Sequence, residues 1–226
     1  MVFDTPTLSA SSEIARATAV LTLARSTKRW PKGAVAEVAL LGHNDPSPTV
    51  RAAAVAALVE RANPTRAFSA WAEARTDDAV VVRRRANGLA VTLASRASER
   101  TEAIIELLVQ SIGDADDLCA ESACFALGEV AVDHPLTLMC VEHLAATATS
   151  HPEPLVREAA VAALGAIGHT SGRAAVLQAC TDKPAIRRRA VLALVAFDGP
   201  EVQAALARAL TDADWQVRQA AEDLLG

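Results

Sequence analysis

Aromatic residues are scarce. The 226 residues contain no Tyr, four Phe and three Trp. This excludes a core built on large rings. It also leaves no closely spaced aromatic platform for stacked or damaged bases, because Trp30, Trp71 and Trp215 are far apart. The four cysteines, Cys119, Cys124, Cys140 and Cys180, include no Cys-x-x-Cys pair and make no dense disulfide framework. A reducing compartment is the simpler setting. As metal ligands they are badly spaced. Cys119 and Cys124 diverge by about 140° around a helix, although Cys140 and His143, three apart, can share a face. Core packing is therefore the expectation for these thiols. No uncharged apolar run approaches the ~18–20 residues of a membrane span. The opening MVFDTPTLSASSE has no basic region followed by an apolar core. Gly-x-Gly-x-x-Gly, Walker A and Gly-x-Ser-x-Gly motifs are missing, as is any sustained alternating run of strand type. The expectation is a cytoplasmic, all-helical chain that is not an enzyme and takes no cofactor or metal.

What is present is Ala, arranged in a repeat. In Leu155–Gly168, LVREAAVAALGAIG, Leu155, Val156, Ala159, Ala160, Ala163, Leu164 and Ile167 recur at the α-helical period. No Pro interrupts the run, and Gly168 suits a left-handed cap. Related stretches follow Val50-Arg51, Val82-Arg83, Ile186-Arg187 and Val217-Arg218, and a degenerate copy follows Leu118-Cys119. With Cys119 taken as the Arg equivalent, successive copies are about 30 to 38 residues apart, the spacing of a solenoid. Asp45, Asp78, Asp182 and Asp212 precede four of the Arg positions; Asp114 precedes the degenerate copy, and His151 takes the Asp place before Arg157. Each unit holds a second helix: Gly33–Leu41, Pro64–Arg75, Arg100–Ile112, Pro135–Thr149, Gly172–Cys180 and Pro200–Leu210. Most of these open at Pro or Gly, which suit a helix start. Residues 1–11 read as a frayed lead-in, and Ser12 as the cap of a degenerate first helix near Ile14–Lys28.

The Asp, gap, Val-Arg, Ala-rich pattern resembles the HEAT-like repeats first noticed in phycobilin lyases, and it covers nearly the whole chain. The resemblance implies an all-α, right-handed α-solenoid of about six to seven helical hairpins, one domain over residues 1–226. It also implies that the recurring Asp and Arg form a structural ladder between repeats, which suits the forked geometry of Arg. It leaves activity open, since such families include adaptors, lyases, a hydroxylase and DNA glycosylases. The His-Glu pairs of the hydroxylases do not occur; Glu142-His143 has the reverse order. Arg83-Arg84-Arg85 and Arg187-Arg188-Arg189 fan over about 200° of helix. The first Arg of each is therefore assigned to the ladder and the other two to the outer surface. The last helix, after Arg218, carries Glu222 and Asp223 as a capping helix would; self-association through that end is the alternative.

Net charge is −5 but uneven. Residues 1–98 hold 13 Lys/Arg against 8 Asp/Glu, while residues 99–133 hold 1 against 9. The acidic middle weighs against a continuous nucleic-acid track and suits a basic partner. In similar solenoids the second helices line the concave face. The polar positions there are Glu37, Arg66, Glu73, Glu102, Glu106, Gln110, Glu142, His143, Gln178 and Arg208. The functional expectation is a scaffold or adaptor that binds another protein, for example a basic segment, through these residues. The alternative is a nucleic-acid-binding HEAT-like protein, such as an alkylpurine DNA glycosylase-like enzyme.

Overall fold

A computed structural model describes residues 7–226. Among them are thirteen α-helices and no strand, and the fold is of the all-α solenoid class. The chain forms two compact units, one through Ile104 and one from Ile105 to Gly226.

In the first unit α1 (Glu13–Arg25), α3 (Pro48–Arg61) and α5 (Val80–Arg96) belong to the Val-Arg type, and α2 (Ala34–Asn44) and α4 (Pro64–Ala74) are second helices. Ala-rich faces let α3 pack against both α1 and α5, and its Ala54, Ala57 and Leu58 are buried. Val20, Leu23 and Val38 complete a cluster with them. Trp71 is fully buried, and its indole N–H donates to the Ala86 carbonyl at 2.7 Å. Residues 7–11 are docked rather than frayed. Leu8 packs on the Val20 cluster, and Arg16 donates to the carbonyls of Ala10 and Ser11 at 3.0 Å each. Residues 1–6 of the expected lead-in lie outside the described residues. Ser12 precedes α1 as expected, but its side chain makes no capping bond.

The helix α6 (Thr101–Ile112) spans the boundary in sequence. The second unit holds the Val-Arg-type helices α7 (Asp117–Val130), α9 (Pro154–Ile167), α11 (Pro184–Ala193) and α13 (Trp215–Leu225). Its second helices are α8 (Thr137–Ser150), α10 (Arg173–Ala179) and α12 (Pro200–Ala209). Pro stands in the first turn of α9, α11 and α12, where its missing N–H does no harm. Asp116 and Asp214 cap α7 and α13 through backbone N–H groups. Gly168 ends α9 at φ +66°, as its place in the repeat predicts.

Two close approaches fix the register of unit 2. A Cβ on Gly128 would lie 2.9 Å from Cα of Ala163, and one on Gly165 would lie 2.9 Å from Cα of Ala193. The glycine of each copy packs on the same Ala of the next. Gly128 is therefore equivalent to Gly165, and counting back makes Ala120, not Cys119, the equivalent of Arg157. Cys119 takes the place of Val156, and both are fully buried. The sequence alignment of this degenerate copy is corrected by one residue.

The ladder runs between repeats. Arg16, Arg157 and Arg187 each grip the Asp of the following repeat, Asp45, Asp182 and Asp212, through Nε and Nη2 at 2.6–2.9 Å. Arg51 does the same to Asp77 and adds Asp78 at 2.6 Å. Its fork is therefore centred on Asp77 rather than on Asp78. The remaining nitrogen, Nη1, serves each Arg's own turn: the Asp45 carbonyl for Arg51, His151 for Arg157, Asp182 for Arg187. Arg16 makes α1 a true member of the series, a rung that the sequence pattern did not reveal.

Candidate protein-binding face

All ten candidates named from the sequence are exposed. Glu37 lies on α2, Arg66 and Glu73 on α4, Glu102, Glu106 and Gln110 on α6. Glu142 and His143 lie on α8, Gln178 on α10 and Arg208 on α12. The carboxylate of Glu73 lies 3.5 Å from the His43 ring, with both side chains largely in solvent. Such a pair contributes little to stability. Glu102, Glu106 and Gln110 follow one another at four-residue steps along α6.

The two layers of each unit differ in spacing. Neighbouring Val-Arg helices pack closely on one another, α1 on α3 on α5 and α7 on α9 on α11, whereas the second helices touch one another far less. Within each unit the closely packed layer is the Val-Arg one. In unit 2 a cause is visible in the sequence: Gly128 and Gly165 let their helices approach Ala163 and Ala193 almost backbone to backbone.

The exposed side chains of that layer form rows in unit 2. By the register above, Leu118 and Leu155 are equivalent, and so are Phe125, Ala162 and Leu192. Leu118, Phe125 and Leu192 are 40, 44 and 37% exposed, and Trp215 at the start of α13 is 64% exposed. Between the two rows run Glu121, Glu158, Arg188 and Gln219, again at one repeat position. That these positions share a face is shown at the α11–α13 end. There a cleft of about 350 Å³ is lined by Arg188, Leu192, Trp215, Gln219 and Asp223 together. Further along, the Arg189 Nε lies 3.6 Å from a Glu158 oxygen. Arg188 and Arg189 are thus half-buried on this face and do not decorate the outer surface. The sequence signal for the face was present but faint. Phe125 and Leu192 are large apolar residues standing off the core stripe of their own helices.

The thiols belong to packing. Cys119, Cys124 and Cys140 are buried, and Cys180 is half-buried. Burial pushes the Cys124 thiol up to about 12 and those of Cys140 and Cys180 up to about 11. A neutral thiol is a poor nucleophile and a poor metal ligand. Among the described residues, no group of three or more His, Cys, Asp or Glu is placed to hold a metal ion, and no helix is long and apolar enough to cross a membrane.

Residues 101–183 and 141–226 match HEAT repeats and together span more than half of the chain. The chain belongs to the HEAT-repeat family. Its fold is similar to that of Escherichia coli YibA, at 17% identity and a TM-score of 0.70 over 96% of this chain and 78% of that one. It is also similar to the CpcE–CpcF complex of phycocyanin lyase from Nostoc sp., at 18% identity and 0.57 over 87% and 77%. A designed armadillo repeat protein in complex with the peptide (KR)4 matches at 16% identity and 0.55 over 95% and 98%. No curated protein matches the chain in sequence. At these identities the likeness speaks for the fold alone, and function has to be argued from the site.

Proposed function

We propose that this HEAT-repeat protein is a non-enzymatic interaction scaffold that holds a segment of another protein along the Val-Arg layer of its second unit. The observation that carries this reading is the pair of exposed apolar rows. Leu118 with Leu155 and Phe125 with Leu192 repeat at fixed positions, and Trp215 stands at the end. Large apolar side chains left exposed at one repeat position point to an interaction site, and an exposed Trp or Phe is a common anchor of binding energy. The row between them starts with two carboxylates, Glu121 and Glu158, and continues with Arg188 and Gln219. A matching segment presents apolar side chains on both sides of Lys or Arg residues. Charge complementarity then sets its direction and speeds encounter more than it adds affinity. The same carboxylates oppose nucleic-acid phosphate on this face. The designed armadillo repeat protein in complex with (KR)4 supports a repeat surface as a site for basic peptide. Four free thiols go with a reducing, cytoplasmic setting.

The test is selection from a displayed peptide library on the full chain, followed by affinity measurement on variants. Phe125→Glu with Leu192→Glu is expected to weaken selected peptides at least tenfold, while Glu102→Lys with Glu106→Lys leaves them bound. The opposite pattern would return the site to the second helices.

A further inference from the structure

Four of the thirteen Lys and Arg residues in positions 1–98 line one cleft of unit 1. The cleft has a volume of about 820 Å³, and its lining includes the turn between α1 and α2 and residues near the C-terminal ends of α3 and α5. Four cations line it, Arg29, Lys32, Arg61 and Arg96, with Trp30 and a single carboxylate, Glu60.

Several of these groups are held in place. Arg96 donates to the carbonyls of Val59 and Ala62, at the end of α3. Arg61 donates through Nη2 to the Lys28 carbonyl at 2.9 Å. A guanidinium has five N–H donors in a fixed fork, so both keep further donors after these bonds are made. Trp30 gives its indole N–H to the Leu23 carbonyl at 2.9 Å and packs on the Val20 cluster. Its ring is therefore a fixed wall of the cleft. Fixed donors lose less entropy on binding than mobile ones.

Helix capping explains part of the cluster. Arg61 and Arg96 sit at helix C-termini, where cations are favoured. It does not explain Lys32. That residue directly precedes Gly33, the cap residue of α2, at a helix start where a cation is disfavoured. Lys32 and Arg29 are exposed. Four cations against one carboxylate in a partly apolar cleft concentrate positive potential. A lone phosphate would fill little of it, since clefts of roughly 300–1,000 Å³ suit whole small molecules.

We propose that this cleft binds a small ligand carrying a chain of phosphates, with the cations on the phosphates and Trp30 beside whatever the chain is attached to. The probes are ATP and inorganic tripolyphosphate, titrated calorimetrically into the full chain at 0.15 M salt. Saturable one-to-one binding is expected. Tighter binding of ATP assigns the ligand to the nucleotides, and equal binding assigns it to the phosphate chain itself. Arg29→Glu with Lys32→Glu, both at exposed positions, is expected to lower the affinity at least tenfold with Tm unchanged. A Trp215→Phe background leaves Trp30 and buried Trp71 as the fluorophores, and ATP is expected to alter the emission unless Trp30 is also replaced by Phe. The proposal is overturned by absence of saturable binding of both probes, or by binding that the double reversal leaves intact. It is equally overturned if a single-stranded oligonucleotide binds more than tenfold tighter than ATP, which would make the cleft part of a nucleic-acid surface.

Discussion

Arg187 holds the carboxylate of Asp212, in the next repeat, at 2.8 Å through Nε and 2.6 Å through Nη2. Its Nη1 meanwhile binds the Asp182 carbonyl at 2.9 Å. One side chain thus ties its own turn to the following one. Both side chains are largely shielded, 19 and 15% exposed, so the pair is worth more than an open surface ion pair. Arg187→Ala is expected to cost about 1.5–3 kcal/mol, the range for charged hydrogen bonds, or roughly 3–10 °C in Tm for a chain of this size. In a double-mutant cycle with Asp212→Ala the two losses should fall well short of additive. Additive losses would show that the two residues act separately.

The same rungs set the acid limit of stability. Hydrogen bonds from Arg16, Arg157 and Arg187 are the main reason that Asp45, Asp182 and Asp212 stay below the usual carboxylate range, against a burial effect that pushes upward. Unfolded Asp titrates near ~3.9. A carboxylate with a depressed folded pKa takes up its proton first in the unfolded state. Its stabilising contribution is therefore complete above the unfolded pKa and is lost as pH falls through the folded one. Tm should be flat from about pH 7 to 5 and fall steeply below about pH 4. In Arg187→Gln the fall should be shallower. An identical acid slope in that variant would remove Asp212 from the explanation.

How much of this could be read from sequence depends on the distance over which the cause acts. The Val-Arg helices, their Pro starts and the Gly168 stop are local, and they stand where the periodicity put them. The ladder was half legible. The repeat showed which residues take part, but each Asp pairs with the Arg of the preceding copy, and that partner is fixed only by stacking. Arg16 was missed because Ala10 fills the Asp place before it, so α1 lacked the signature. The degenerate copy slipped by one residue because Leu118 was read in the Val place, which Cys119, fully buried like Val156, occupies. The binding face was assigned to the second helices because those helices line the concave face in similar solenoids. The exposed apolar rows of unit 2 appear only once the copies are aligned by the contacts of Gly128 and Gly165, and small residues leave no hydropathic mark.

Those glycines make opposite predictions from that of a third. A Cβ on Gly165 would meet the Ala193 Cβ at 2.6 Å and its Cα at 2.9 Å, atoms with no flexible end to swing away. Gly165→Ala must push α9 and α11 apart, and a loss of about 1–3 kcal/mol is expected for such overpacking. Gly88, inside α5, has nothing within 4 Å of its added Cβ. Gly88→Ala should instead stabilise by roughly 0.5–1 kcal/mol, the helix-propensity difference. Thermal melts of the two variants should move in opposite directions. A stabilised Gly165→Ala would contradict the close approach that defines the register.

The ladder of unit 2 lacks one rung, and neither of its two positions carries the usual residue. Ala120 stands where Arg157 and Arg187 stand in their copies, and His151, in the following repeat, stands where they find Asp182 and Asp212. His151 still supplies its backbone carbonyl to Arg157 at 2.8 Å, so the turn keeps its shape although the carboxylate is gone. An Arg at 120 would therefore meet a turn of the right form with no anion in it, next to an imidazole. Ala120→Arg alone should destabilise, since Ala120 is fully buried and the new charge would lack its partner. His151→Asp alone should be near neutral. Together they should recover the loss and add about 0.5–2 kcal/mol, because the pair would gain the fork that its neighbours make. The decisive quantity is the coupling in this cycle, measured by chemical denaturation. A favourable coupling above about 1 kcal/mol would establish that the rung position survives without its residues. A coupling near zero would mean that the α7–α9 step has drifted from the geometry of the other repeats, and that Ala120 and His151 are not its vacant ends.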